Sequence, residues 1–269
     1  MKIIFNKSRL VEILKNENNL GFVPTMGNLH KGHKSLIRKS IDQNYKTIVS
    51  IFVNKPQFNR KVDFKRYPKT LNDDIRLLKK LKVNFLFLPS EKQMYPKGIN
   101  KKIRLANLSK RLCGKFRPGH FEAVADVIDR FIKIIKPKKI YFGEKDMQQL
   151  LLMDDFIKHK HKSTKVVGCK TIREKNGTAY SSRNLLLTKQ QKKIASKIYK
   201  ILKKNKNNLM KKKVLMKSIR NKIINTGIKK IDYLEILNIN NLISPKKRKI
   251  KKKIFISYYL GVVRLIDNI

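Results

Sequence analysis

The chain has 269 residues, 41% of them hydrophobic and 31% charged, and a formal net charge of +48. That length holds one large domain or two modest ones, with enough apolar residues for a real core. No run of eighteen apolar residues exists and residues 1–10 lack a secretory apolar region, so a transmembrane span and export are not expected.

Residues 3–5 read as a short opening element, and residues 6–18 as a helix with Leu10, Ile13 and Leu14 on one side. A strand at 20–24 leads through Pro24 and Gly27 into His30-Lys31-Gly32-His33, followed by a helix over 34–44. Strand, tight loop, helix is a βα unit, and ligands bind at such loops in open α/β sheets. Gly27 and Gly32 let backbone approach a phosphate, and a helix start offers free N–H groups and a positive dipole end. Two imidazoles three residues apart can face one phosphate chain, where a cationic imidazole stabilises charge on a leaving phosphate.

The β-branched run 46–53 predicts a buried parallel strand ending in the polar loop Asn54-Lys55-Pro56-Gln57-Phe58. Residues 63–70 read as a loop, 71–82 as an amphipathic helix and 84–88 as a third strand. A turn at 94–98 and a Gly/Pro-rich loop at 114–120 precede a helix pattern over 121–135. A strand at 140–142 then opens into Gly143-Glu144-Lys145-Asp146 and a helix from 147 to about 160. Residues 166–172 look like the last strand and a bridge. Strands alternating with helices predict a doubly wound parallel sheet, Rossmann-like, over residues 1–169.

Residues 173–188 are polar; helix patterns follow at 189–205 and 211–224, and strand patterns at 231–237, 254–260 and 262–266. This is a smaller α+β domain, residues 170–269, with a basic hairpin turn at 246–253. Its hundred residues hold 28 Lys+Arg against 4 Asp+Glu, half of the chain's excess charge. Such charge suits a nucleic-acid partner. However, Lys outnumbers Arg 52 to 14, whereas specific phosphate recognition favours Arg, so compositional drift is the reading and no specific nucleic-acid partner is expected. Cys113 and Cys169 form no CxxC pair, which fits reduced thiols in the cytoplasm.

Pro24-Thr25-Met26-Gly27-x-Leu29-His30-x-Gly32-His33 resembles the phosphate loop of the pantoate–β-alanine ligase family, within the HxGH nucleotidylyltransferase superfamily. Further blocks resemble the family in the same order: Ser50-Ile51-Phe52-Val53-Asn54 with Gln57-Phe58, Tyr67-Pro68-Lys69-Thr70, Met94-Tyr95-Pro96 and Arg117-Pro118-Gly119-His120-Phe121. Then come Phe142-Gly143-Glu144-Lys145-Asp146-x-Gln148-Gln149-Leu150, Ser181-Ser182-Arg183-Asn184 and Arg264-Leu265-Ile266-Asp267-Asn268. Departures are Lys55 ahead of Pro56, Ala123 for glycine, Asn176 where Asp is common, and Tyr180 where Leu or Met is usual.

The resemblance implies an ATP-dependent acid–amine ligase. Pantoate and ATP give a pantoyl adenylate and pyrophosphate; β-alanine then releases AMP and pantothenate. It implies His33 as proton donor and ATP contacts from Met26, Gly27, Asn28, Leu29, His30, Lys31, Gly32 and His33. Further ATP contacts are implied at Gly143, Glu144, Lys145, Asp146, Ile172, Tyr180, Ser181, Ser182 and Arg183. Gln57 and Gln149 correspond to pantoate-binding residues, and Gln57 also to the β-alanine contact. Arg117 and His120 are expected near the site. A homodimer and Mg2+ are implied too, with Asp73 or Asp74 as a suggested ligand, and the smaller domain is expected to act as a lid. Rival readings are another HxGH nucleotidylyltransferase, acting on a phosphate, and a basic nucleic-acid-binding protein that has lost catalysis.

Overall fold

Alternation along the early strands decides how the sheet is covered. The structure, a computed structural model, describes residues 1–211, 215–241 and 251–269. The first strands and helices are β1 (Lys2–Ile4), α1 (Lys7–Leu14), β2 (Leu20–Thr25), α2 (Lys31–Gln43) and β3 (Lys46–Ile51). Then come α3 (Lys61–Lys65), α4 (Leu71–Lys80), β4 (Phe85–Phe87), α5 (Glu91–Met94) and α6 (Cys113–Phe116). The unit closes with α7 (His120–Ile135), β5 (Lys139–Gly143), α8 (Met147–Lys160) and β6 (Lys165–Cys169). Phe22, Ile48 and Phe85 lie in register and point one way; Val23, Val49 and Leu86 lie in register and point the other. The first set packs under α1, α7 and α8, the second under α2 and α4. The product is a three-layer α/β/α unit, as expected of a doubly wound sheet.

All five pairings in this sheet are parallel, in the order β1-β4-β3-β2-β5-β6. From β2 the chain builds outward through β3 to β4, then returns to lay β5 on β2's other side. Connections from β2 and β5 therefore leave in opposite directions and open a crevice at their carboxyl ends. The histidine loop and the Glu144–Asp146 turn both open there.

After the bridge Arg173↔Ala179, α9 (Lys189–Lys211) and α10 (Leu215–Ile224) precede an antiparallel sheet of β7 (Lys230–Asn238), β8 (Lys252–Leu260) and β9 (Val263–Asn268). Ile254, Ile256, Tyr258 and Leu260 meet α9 and α10 through Ala195, Ile198, Leu202, Ile219 and Ile223. On the opposite face, Tyr233 and Phe255 join the core of the large sheet. The small sheet is thus buried on both sides.

Local expectations differ from the structure at a few places. The short helices α3, α5 and α6 fall where the sequence reads as loop, turn or no element, because four or five residues carry no period. Helix α9 runs through Asn207 and Asn208 to Lys211, since Leu209 on the next turn is buried against the small sheet. Of the expected basic turn, residues 246–250 lie outside the described residues, and Lys252 and Lys253 already belong to β8.

Phe131 of α7 ties together β2, β4 and the residue that follows β3. Its ring centroid lies 5.3 Å from Phe22, 6.3 Å from Phe52 and 6.2 Å from Phe87. Truncation leaves a cavity that surrounding strands cannot collapse into. Phe131→Ala is expected to lower stability by about 3–5 kcal/mol; an unchanged urea midpoint would contradict this.

Candidate active site

The loop after β2 is held by a carboxylate before it meets any ligand. Gly27 and Asn28 both turn through positive φ, +81° and +51°. The next amides aim at one point: Asn28 N–H and Leu29 N–H donate to the Asp74 carboxylate at 2.8 and 2.7 Å. Successive amides of this kind form an anion nest, here filled from within the chain. A side chain at Gly27 would crowd Asp74 Oδ2 and Ile51 Cγ2, each 3.1 Å from an added Cβ. Asp74 is thus buried as an anchor, whereas its neighbour Asp73 is exposed and pairs with Arg76. Neither lines the cavity described below.

The histidines then cap α2 from opposite directions. His30 is the N-cap, and its Nδ1 accepts from Gly32 N–H at 3.2 Å. His33, at the third helical position, accepts from His30 N–H through its own Nδ1 at 3.4 Å. A ring nitrogen that accepts from an amide carries no proton, so each neutral ring keeps its hydrogen on Nε2. The rings stack with centroids 4.0 Å apart, and an added Cβ at Gly32 would lie 2.9 Å from the His30 ring. Burial, helped by Lys145, lowers the His30 pKa to about 4. Burial, then His30 and Lys145, hold His33 well below its ordinary value. Both rings are thus drawn toward the neutral form in the free site, first by burial and then by the neighbouring positive charge of Lys145.

Across the crevice, the turn after β5 presents Lys145 with Asp146, Nζ to Oδ1 3.4 Å. The segment 181–183 docks directly on the histidine loop. Asn28 Nδ2 donates to Ser182 O, and Ser182 Oγ donates to Asn28 O, both at 3.3 Å. Arg183 is paired with Asp63 of α3 at 2.9 Å. Tyr180 stacks on His30 at 6.1 Å, and its N–H donates to the carbonyl of Ile172 at 3.1 Å.

These pieces enclose a cavity of about 290 Å³. Met26, His30, Gly32, His33, Gln57 and Gln149 line it, as do Gly143, Lys145, Asp146, Ile172 and 180–183. Gly27, Asn28, Leu29, Lys31 and Glu144 lie outside its wall; the Lys31 ammonium sits 5.9 Å over the Tyr180 ring. No group of three His, Cys, Asp or Glu side chains converges as a metal site among the described residues.

Gln57 is the most heavily supported residue of the far wall. Pro56 occupies the opening of a 3-10 turn, where its missing N–H costs nothing, and Gln57 ends that turn. Asn54 Nδ2 donates to Gln57 Oε1 at 3.0 Å, and Tyr95 OH donates to Asn54 Oδ1 at 2.6 Å. Arg117 donates to the Gln57 carbonyl at 3.0 Å and to His120 Nε2 at 2.9 Å. His120 must therefore carry its proton on Nδ1, which donates to the same carbonyl at 2.9 Å. Burial and Arg117 hold His120 neutral, well below its ordinary pKa. Sequence reasoning assigned no role to Asn54, Asp63 or Tyr95. The signal for Asn54 and Tyr95 was their place inside blocks shared with the family; Asp63 had none.

Relatives match the chain over nearly its whole length. The sequence pattern of the family described as Pantoate-beta-alanine ligase matches residues 2–269. A pantothenate synthetase of Sulfurihydrogenibium sp. is 40% identical, covering 100% of this chain and 99% of its own. One from Clostridium botulinum is 41% identical over 96% of this chain and 94% of its own. A crystal structure of the Thermus thermophilus pantothenate synthetase superposes with a TM-score of 0.92 at 32% identity, covering 100% of this chain and 99% of that one. The Francisella tularensis pantoate-beta-alanine ligase, solved with beta-gamma ATP and beta-alanine, gives 0.85 at 39% identity, covering 100% and 97%. With a match that runs unbroken from residue 2 to the last residue, the chain belongs to the pantoate–β-alanine ligase family.

Proposed function

We propose that this chain condenses pantoate with β-alanine at the crevice between β2 and β5, using ATP. The pantoate carboxylate attacks the α-phosphorus, and the bond to the β-phosphate breaks. Pyrophosphate leaves and the acid is held as its adenylate. The β-alanine amine then attacks the acyl carbon, the bond to AMP breaks, and the new amide nitrogen gives up a proton. An anion must approach an anion in the first step, so donors and cations have to surround the phosphates.

The observation that carries this reading is the stacked histidine pair at a helix start, lining one cavity together with Lys145 and Arg183. Both Nε2–H groups are left to donate to phosphate oxygens, and phosphate in turn favours protonation of His33 as the pyrophosphate departs. Lys145 and Arg183 bring positive charge to the same cavity. Met26, Gly32, Gly143, Asp146, Ile172 and 180–182 complete the nucleotide's surroundings. Gln57 and Gln149 offer amides to the hydroxyls and carboxylate of pantoate. Gln57, held through its carbonyl by Arg117 and His120, also meets β-alanine.

Mg2+ accompanies ATP in this reading. It would neutralise phosphate charge as it enters with the nucleotide, and Asp73 and Asp74, both committed elsewhere, would not hold it. Residues 170–269 form the second domain, a lid that keeps water from the adenylate, and two copies associate as a cytoplasmic homodimer. A pyrophosphate-release assay with ATP, pantoate and β-alanine, each omitted in turn, tests the reaction. Release that needs ATP and pantoate but not β-alanine, one per active site, is expected. Release driven instead by a phosphorylated acceptor would move the chain to the phosphate-adenylylating branch of its superfamily.

Three outcomes follow for single residues. His33→Ala lowers the single-turnover adenylation rate about 10²- to 10⁴-fold, and an unchanged rate removes His33 from the chemistry. In the ligand-free protein, imidazole NMR shifts of His30 and His33 stay constant between pH 8 and 6, and His30 titrates at about 4; a midpoint at the ordinary histidine value would show solvated rings. Arg183→Ala slows adenylation while the unfolding midpoint is kept. Arg183→Lys restores only part of the rate, because a single ammonium cannot form two parallel bonds to a phosphate.

A further inference from the structure

The last strand reaches back to the phosphate side of the crevice. Asn268, the penultimate residue, is 3% exposed, and every polar atom of its side chain is engaged. Its Nδ2 donates to the carbonyls of Glu144 and Lys145, both at 2.8 Å. Its Oδ1 accepts from the Lys253 ammonium on β8 at 2.8 Å. The orientation of the amide is thereby settled, with two donor hydrogens toward two carbonyls and the oxygen toward a cation.

The surroundings hold Asn268 itself in place. Its N–H donates to Asp267 Oδ1 at 2.8 Å, and its carbonyl accepts from Arg173 at 3.1 Å. Arg173 meanwhile clasps both oxygens of Asp267, at 2.6 and 2.9 Å. Asn268 lies in register with Phe255, whose ring is part of the main core. The Glu144–Asp146 turn lies past the end of β5, and the Asn268 amide fixes two of its carbonyls there.

We infer that Asn268 is a positioning residue for Lys145: it sets the height of the turn from which the lysine reaches the phosphates. This rests on the reading of Lys145 as a phosphate-binding residue. Aspartate at 268 would turn a carboxylate oxygen toward two carbonyl oxygens and lose the clamp, despite its nearly identical shape. Displacing a charge-bearing group by an ångström is enough to cost about 100-fold in rate.

A double-mutant cycle on the full chain tests this, using single-turnover adenylation with ATP and pantoate, scaled to the folded fraction from urea unfolding. Asn268→Ala and Asn268→Asp are expected to slow adenylation about 10- to 100-fold. In a Lys145→Ala background the same changes should alter the rate by less than about twofold, because the residue they act through is gone. If Lys145→Ala alone leaves the rate unchanged, the phosphate-binding reading fails. If Lys145→Ala slows the reaction but the Asn268 variants do not, or if their effects multiply in full, the positioning inference fails alone. Lower stability at an unchanged rate per folded molecule also overturns it, leaving Asn268 a purely structural residue. Should Asn268→Ala not fold, the nearly isosteric Asn268→Asp carries the cycle.

Discussion

Two histidines capping one helix from opposite directions is the constraint on which the site depends. Each spends its Nδ1 on a backbone amide of the other's segment, so each must present Nε2 toward the cavity. The stacking that results, 4.0 Å between centroids, requires a residue without a side chain at Gly32. It also makes double protonation costly, since burial and mutual repulsion act together. A loop this specific has to be immobile. Asp74 supplies that by filling the nest of amides immediately upstream, and Ser182 by pairing with Asn28 on the other flank.

The remaining groups come from positions far apart in the chain, and topology brings them together. Because β5 returns to lie beside β2, Lys145 faces a loop more than a hundred residues earlier. The small sheet adds the third side. It buries Tyr233 and Phe255 in the main core and Ile254, Ile256 and Tyr258 against its own helices. Its last strand therefore sits rigidly enough for Asn268 to brace the Lys145 turn, and the bidentate Arg173–Asp267 pair locks the same strand to the segment leading toward Arg183.

Three cations of the cavity lie beside carboxylates. Arg183 is matched by Asp63, Arg264 by Asp232, and Lys145 lies beside Asp146. An incoming polyphosphate would take over cations that are already desolvated and oriented, which is the arrangement that gains most from low local polarity. The Asp63–Arg183 pair joins α3 to a segment 120 residues on. Nothing local in a five-residue helix announces it.

Period and turn chemistry made the long elements readable from the residues alone. Helix α7 spans His120–Ile135, one residue longer than the range its pattern called for, and β2 and β3 are where their apolar runs lie, because burial imposes a period that survives in the sequence. The motif His30-x-Gly32-His33, in order with seven further blocks, was equally legible, since the chemistry demands those residue types at that spacing. Roles that depend on distance were not. Asp73 and Asp74 are adjacent letters, yet one helical step turns the first to solvent and the second under the histidine loop. The protonation of the histidines and the bracing of Lys145 by Asn268 belong to the same class. They are set by which groups a folded backbone places within about 3 Å of one another, and one-dimensional order carries no record of that until the strands have taken their places.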